Sequence, residues 1–346
     1  LEIHNNDDTK IQNWTGRKGG KAMRKFERLR AKMKEKIQER DLIVAPGAYD
    51  ALSARVIERA GFEAAYMTGH GVGAGLLAWS DVGLTTQTEM VGTARNICNA
   101  IGIPLISDID TGYGNAVNAI RTIRDFEQAG VWAVHMEDQV QPKKCGFMEG
   151  KLVIPMEEMV GKIKAAIAAR EDRNFLIIAR CDARAVLGPD EFYRRCDAYW
   201  KAGADILFPE APLNDEDIRR DAQWANESGA PLLLNAVRYG YDIHQVKALG
   251  CYAIMILPII CFPVAAKAMY DVLAEFKKKG RYENLEEQGK SFSFPVIQEL
   301  IRLPEIKKYE EMYLPADLKM AKWGSEKVPD ESFRGLGPEG APPKGR

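Results

Sequence analysis

The sequence predicts an α/β fold: a (β/α)8 barrel of the TIM type, preceded by a helix and followed by a helical extension. Three observations lead there. Short β-type runs alternate with longer amphipathic stretches, the runs number eight, and several are apolar almost throughout. Parallel strands buried on both faces have that composition, and eight such units close a barrel. A doubly wound sheet is the nearest rival.

The elements follow in order. Residues 1–20 are polar and contain glycine, which predicts a loose tail. The next stretch, KAMRKFERLRAKMKEKIQER (21–40), is strongly basic. Its Phe26, Leu29, Met33 and Ile37 fall on one face at helical spacing, so it reads as a docked helix with a solvated basic face rather than a nucleic-acid patch. The barrel is expected over 41–275. Its strand runs are LIVAPG (42–47), EAAYMTG (63–69), PLISDID (104–110), VWAVHMED (131–138), FLIIARCD (175–182), ADILFPE (204–210), PLLLNAV (231–237) and YAIMILP (252–258). Between them, stretches such as 115–129 and 189–202 have helical spacing and end on Ala-Gly or Leu-Gly, a helix stop. The segment GHGVGAG (69–75) reads as a glycine loop, and Ala74 spoils a dinucleotide-binding GxGxxG. A helical extension is expected over 276–323, with FPVIQELIRL (294–303) packing outside the barrel or on a neighbouring subunit, and a disordered tail over 324–346.

Bulk properties exclude several function classes. Formal net charge is −1, a balance that gives no argument for nucleic acid or a membrane surface, and neither is expected as a partner. No stretch approaches the roughly 18 apolar residues of a membrane span, and the N-terminal LEIHNNDD lacks the apolar run of a secretory signal. The six cysteines are scattered without a CxxC, which suggests a reducing compartment, the cytoplasm. With four histidines and no HxxxH, a zinc site is not expected.

In a barrel of this kind, function gathers at the C-terminal strand ends. Those ends carry Tyr66 and Thr68, Asp108 and Asp110, His135 with Glu137 and Asp138, Arg180 and Asp182, Glu210, and Asn235. Asp108 and Asp110, at i and i+2, can point at one site, and Glu137 adds a third hard oxygen donor, a set that suits Mg²⁺. An arginine closing a buried strand, Arg180, needs an anion nearby. Cys145 follows Lys143 and Lys144, which would ease thiolate formation, and precedes Gly146, which would let the loop approach a ligand. With Phe147 rather than a base beside it, Cys145 reads as a proton donor rather than a nucleophile.

The stretches APGAYDALSARV, YMTGHGVGAG, SDIDTGYG, HMEDQVQPKKCGF, ARCDA and LFPEA run in order over about residues 40–260. Together they resemble the isocitrate lyase/phosphoenolpyruvate mutase superfamily. The KKCG loop after an Glu-Asp strand end points to its carbon–carbon lyase branch, with methylisocitrate lyase, dimethylmalate lyase and oxaloacetate hydrolase. The resemblance implies Mg²⁺, with Mn²⁺ as a substitute, held by Asp108 and Asp110 and through water by Glu137. It implies a loop of Thr68, Gly69 and His70 holding an α-keto-acid carboxylate, with Tyr66 and the acid Asp81 nearby. Arg180 would meet the substrate's carboxylate or oxyanion, and Glu210 and Asn235 would line the pocket beside Lys143 and Gly146. Cys145 would be the catalytic acid on a mobile loop, in a homotetramer that exchanges a C-terminal helix.

Two positions depart from the pattern. Phe147 stands where a histidine is usual, and Arg238 where methylisocitrate lyases carry an acid. The expected reaction is Mg²⁺-dependent cleavage of a 2-hydroxy di- or tricarboxylate to an α-keto acid such as pyruvate, Cys145 protonating the carbanion. Oxaloacetate hydrolysis, α-keto-acid decarboxylation and phosphonate chemistry are the alternatives on the same scaffold. A non-catalytic RNA- or ligand-binding barrel is the alternative from another class.

Overall fold

The computed structural model describes residues 25–315 except 147, 239 and 283, and leaves out the side chain of Arg238. The expected tails, 1–20 and 324–346, lie outside the described residues, as does Phe147. Two compact units divide the chain, residues 1–283 and 284–346.

In the first unit the strands are β1 (Ile43–Ala48), β2 (Ala65–Met67), β3 (Leu105–Asp108), β4 (Ala133–Glu137), β5 (Leu176–Cys181), β6 (Ile206–Pro209), β7 (Leu232–Asn235) and β8 (Tyr252–Leu257). All pair in parallel in sequence order, and β8 closes on β1 with Ile43 opposite Ile254 and Ala45 opposite Ile256. The fold is the barrel that the sequence predicts. Its helices are α1 (Lys25–Gln38), α2 (Ala51–Arg59), α3 (Gly69–Leu77), α4 (Gln87–Ala100), α5 (Ala116–Ala129), α6 (Met156–Ala169), α7 (Arg184–Leu187), α8 (Pro189–Lys201), α9 (Asp215–Ser228), α10 (Ile243–Ala248) and α11 (Phe262–Lys279). Two of the expected stops, Gly130 and Gly203, have φ of +98° and +102°, a left-handed geometry that glycine adopts without strain.

Strand periodicity sorts the core into two layers. Ile43, Ala45, Tyr66, Ile106, Ala133, Ile178, Phe208, Leu233 and Ile254 fill the barrel interior. Their neighbours, such as Met67, Leu105, Val134, Ile177 and Leu207, pack outward against the helices. The same parity decides where the polar strand ends face. Tyr66 leads to Thr68, Ile106 to Asp108, Ala133 through His135 to Glu137, Ile178 to Arg180, Phe208 to Glu210, and Leu233 to Asn235. All six share the inward register. Asp138 has the opposite parity. It receives Tyr199 Oη (2.8 Å) and Arg195 Nη1 (3.0 Å), so this acid is turned away from the barrel axis.

Helix α1 is docked as expected, with Met33 buried in the interior layer and Ile37 packed against it. Its basic face is less solvated than the sequence implies. Arg30 is buried and donates to the carbonyls of Val131 (2.9 Å) and Glu127 (2.7 Å), while Lys25 caps the carbonyl of Ile101. Backbone oxygens at turns between barrel elements take up these cations. A Cβ on Gly130 would fall 2.7 Å from the ring of Phe26, so α1 sits directly on that turn.

In the second unit, α12 (Phe294–Leu300) and α13 (Leu303–Tyr313) are joined through Arg302 at φ +67°. The apolar run 294–303 thus forms a helix and a sharp turn. Among the described residues no helix is long and apolar enough to cross a membrane.

Candidate active site

A cavity of about 230 Å³ opens at the C-terminal end of the barrel. Tyr66, Thr68, His70, Asp81, Asp108, Cys145, Gly146, Arg180, Glu210 and Asn235, all singled out from the sequence, line it. Its remaining wall is apolar: Met148, Phe208, Ile256, Pro258 and Ile259. Asp110, Glu137 and Lys143 stand behind the wall, buried. Arg238 begins no strand or loop insertion; its backbone ends a 3-10 turn (Ala236–Arg238), and its side chain lies outside the described residues.

The segment 69–75 is the start of α3, not a loop. Glycine is a poor helix former, yet here it is required by packing. Thr68 caps the helix, its Oγ1 accepting from the Gly71 N–H (3.2 Å). A Cβ on Gly71 would meet Tyr49 Cβ at 2.9 Å, and one on Gly69 would meet Asp108 Oδ2 at 2.6 Å. The helix N-terminus is thereby pressed onto an acid, and the Gly69 N–H donates to Asp108 Oδ2 (3.3 Å). Backbone donors and the positive end of the helix favour an anion at this point.

Behind Asp108 the acids gather. The Asp110 N–H donates to Asp108 Oδ1 (2.9 Å), and Asp110 itself has φ +47°. Lys143 Nζ lies 2.9 Å from Asp110 Oδ1 and 2.5 Å from Asp81 Oδ1. Arg180 donates to both oxygens of Asp182 (2.8 and 3.1 Å) and stands 3.1 Å from Glu137 Oε2. Asp110 Oδ2, Glu137 Oε1 and Glu210 Oε2 are nonetheless buried without a hydrogen-bond partner among the described residues.

Burial dominates the titration of this cluster. It raises the Asp110 carboxyl to about 6 against the pull of Lys143, and raises Glu137 and Glu210 against the pull of Arg180. For Asp182 burial acts the same way, but Arg180 and Lys151 outweigh it and hold the carboxyl below its usual range. Unpartnered carboxylate oxygens on hard donors that resist ionising describe a site short of positive charge. A divalent cation such as Mg²⁺ takes carboxylate and water oxygens, so Asp108 and Asp110, with Glu137 through water, are the acids that could hold one.

His135 belongs to the scaffold of the site. Its Nε2 is 2.7 Å from Tyr66 Oη, its ring stacks on Tyr66 with centroids 5.6 Å apart, and burial, then Arg180 and Lys143, push its pKa down. The ring is therefore neutral, and it fixes the Tyr66 hydroxyl at the cavity wall.

The loop between β4 and α6 closes the cavity. Gln139 exchanges two hydrogen bonds with the backbone of Lys144, and the Cys145 N–H donates to Asp81 O (3.0 Å). Lys151, which the sequence reading passes over, joins Gly146 O (2.8 Å) to Asp182 Oδ1 (2.9 Å). No local pattern marks this lysine; its partners come from its own loop and from β5. A Cβ on Gly146 would fall 2.2 Å from Glu210 Oε1 and 2.8 Å from Arg180 Nη2, so only glycine lets the loop lie this close. The expectation that the lysine pair serves the thiol needs correction. Lys143 is committed to Asp81 and Asp110, and Lys144 reaches Glu149 O (3.4 Å). Ligand atoms of Cys145, His70 and Asp81 all lie within 4.8 Å of one another.

The profile of the family described as phosphoenolpyruvate phosphomutase matches residues 33–277. The chain is 44% identical to 2,3-dimethylmalate lyase of Eubacterium barkeri over 292 residues, 82% of this chain and 97% of that protein. To 2-methylisocitrate lyase of Aeropyrum pernix it is 42% identical over 257 residues, 73% of this chain and 81% of that protein. Among solved structures, phosphonopyruvate hydrolase in complex with oxalate and Mg²⁺ superposes with a TM-score of 0.75 at 32% identity, over 85% of this chain and all of that one.

Proposed function

Since the chain belongs to the isocitrate lyase/phosphoenolpyruvate mutase superfamily, as an enzyme of its carbon–carbon lyase/mutase branch, we propose that it is a Mg²⁺-dependent lyase of a methyl-branched 2-hydroxy dicarboxylate. One observation carries the reading. A single cavity of about 230 Å³ has a charge-deficient carboxylate cluster behind one wall and a loop-borne thiol, Cys145, on another. The apolar stretch of Phe208, Ile256, Pro258 and Ile259 supports a methylated substrate end over a third carboxylate.

Asp108 and Asp110, with Glu137 through water, would hold Mg²⁺, which would supply Lewis-acid stabilisation of negative charge on the substrate hydroxyl oxygen. The protein's own groups do the rest. Arg180 presents a planar guanidinium to a substrate carboxylate. The N-terminus of α3, with Thr68 and the Gly69 backbone, receives another. Glu210, on the cavity wall with a raised pKa, accepts the proton of the hydroxyl as the keto group forms. The C–C bond breaks and the Cys145 thiol gives its proton to the carbanion carbon. Loop closure through Gly146 excludes the water that would otherwise reach that carbon.

The direct test is a panel of 2,3-dimethylmalate, 2-methylisocitrate, isocitrate, citramalate, oxaloacetate and phosphonopyruvate, assayed with Mg²⁺ or EDTA for released keto acid and, from oxaloacetate, for oxalate. Mg²⁺-dependent pyruvate release, fastest from 2,3-dimethylmalate, is expected. Turnover confined to oxaloacetate or phosphonopyruvate would replace the lyase by a hydrolase or phosphonate reading.

Closure makes its own prediction. Gly146→Ala should lower kcat about 100-fold, because the methyl group collides with Glu210 and Arg180 and displaces the thiol by about an ångström. Thermal unfolding of this variant should match the parent, since the loop can lift away. A kcat within threefold of the parent would show that this packing does not matter for turnover.

Metal binding should show a pH signature. The folded pKa values of Asp110 and Glu137 lie above their unfolded ones, so their ionisation opposes folding. That cost is absent below the unfolded value near 4 and full above the folded value, about 6 for Asp110. Mg²⁺ offsets it, so the rise in Tm on adding Mg²⁺ to EDTA-treated protein should be larger at about pH 8 than at about pH 5. An equal rise at both, in a thermal-shift assay, would contradict the assignment of these acids.

A further inference from the structure

Two residues beyond Cys145 the chain carries Phe147, so the local sequence gives the thiol no imidazole. The fold supplies one from elsewhere. A ring nitrogen of His70 and a carboxylate oxygen of Asp81 lie within 4.8 Å of the Cys145 sulfur and of each other. The three residues come from the first turn of α3, the segment between α3 and α4, and the loop after β4. In this arrangement the Cys145 N–H donates to the carbonyl of Asp81 (3.0 Å), which holds the loop against the segment that carries that acid. The separation is spanned by a small side-chain rotation or by one bridging water.

His70 is placed to be used. It lines the cavity, half-buried, with its ring held 5.0 Å from that of Phe262. Among the described residues its ring nitrogens make no hydrogen bond, although the neighbouring polar groups are committed. Asp81 is paired with Lys143, and Asp108 receives the Gly69 N–H. The other charged groups on the cavity wall, Arg180 and Glu210, are 3.9 Å apart and belong to the opposite, β5–β6 side. Asp81 is the acid on the His70 side, and its carboxylate can orient the imidazole.

We propose that His70, oriented by Asp81, is the proton partner of Cys145. The inference rests on the reading that Cys145 protonates the cleaved fragment. As the S–H bond breaks and the new C–H bond forms, the imidazolium of His70 faces the thiolate left behind and stabilises it in a site closed to water. It then returns a proton to the sulfur and becomes neutral imidazole. When the loop opens, the imidazole takes a proton from water, and Glu210 releases to water the proton that it took from the substrate hydroxyl. One proton enters and one leaves per turnover, and no electrons change hands. This role differs from the carboxylate contact that the resemblance assigns to His70, because it acts on the thiol rather than on bound substrate.

The two roles separate by experiment. His70→Asn and His70→Gln, each checked by circular dichroism, are compared with the parent in three measurements. The first is the rate at which iodoacetamide alkylates Cys145 without substrate, read by peptide mass so that the other cysteines do not contribute. It should fall about tenfold, because the thiolate loses its cationic partner. The second is kcat, which should fall about 100-fold. The third covers KM and the affinity for oxalate with Mg²⁺, which should stay within about threefold. An unchanged alkylation rate overturns the couple. So does a loss confined to KM and oxalate affinity, which would make His70 a substrate-carboxylate contact. The alkylation measurement needs no turnover, so it still decides the couple if the lyase reading itself fails in the substrate panel.

Discussion

Cys145→Ser should lower kcat about 10³-fold while leaving the affinity for oxalate with Mg²⁺ unchanged. The hydroxyl keeps the size and the loop's contacts, so the Cys145 N–H bond to Asp81 O and the Lys151 latch on Gly146 O should persist. What changes is acidity. A serine hydroxyl is a far weaker acid than a thiol, so it cannot deliver a proton to a developing carbanion at neutral pH. Keto-acid release gives the rate and isothermal titration with oxalate gives the binding. Turnover within tenfold of the parent would remove Cys145 from the chemistry and leave the loop only a water-excluding role.

The second large effect concerns stability. Arg180→Met should destabilise the protein by about 3–5 kcal/mol and abolish turnover. Arg180 is 7% exposed and serves three buried carboxylates, Asp182 at 2.8 Å, Glu137 at 3.1 Å and Glu210 at 3.9 Å. Methionine retains much of the stem volume but leaves those charges facing one another. Lys151 remains for Asp182 alone. The sign with pH follows. In the parent, Asp182 has a folded pKa below its unfolded value, so it contributes stability above the unfolded value near 4 that is lost as pH falls through the folded one. Without Arg180 the three carboxyls move up, and protonation relieves the repulsion. The gap in stability between variant and parent should therefore narrow from about pH 8 to about pH 5. A urea-denaturation series at both values checks this, and a gap that widens toward acid would contradict it.

The site was legible in the sequence to the extent that it is written in strand parity. Asp108, Glu137, Arg180, Glu210 and Asn235 each close an apolar run at a spacing of two from an interior residue, and a β-strand carries that information within a few residues. Parity would also have set Asp138 aside, since it sits one residue past Glu137 and faces the helices. The helix stops at Gly130 and Gly203 are equally local.

What the sequence could not decide depends on residues far apart in the chain. It read Gly69–Gly75 as a loop, but the segment starts α3, and at Gly69 and Gly71 the side chains of Asp108 and Tyr49 leave no room for a Cβ. It gave the lysine pair to the thiol because they are neighbours, but the ammonium of Lys143 goes to Asp81, 62 positions away, and to Asp110. Buried charge is stabilised by whichever counter-charge the fold brings near, and chain proximity does not predict that partner. The imidazole beside Cys145 follows the same rule. The sequence by itself determined the barrel, its inward-facing acids and the loop-borne thiol, because these follow from local periodicity and turn chemistry. Only the tertiary structure decided that His70 and Asp81 meet that thiol, because the first turn of α3 and two loops must come together at one cavity before their groups can interact.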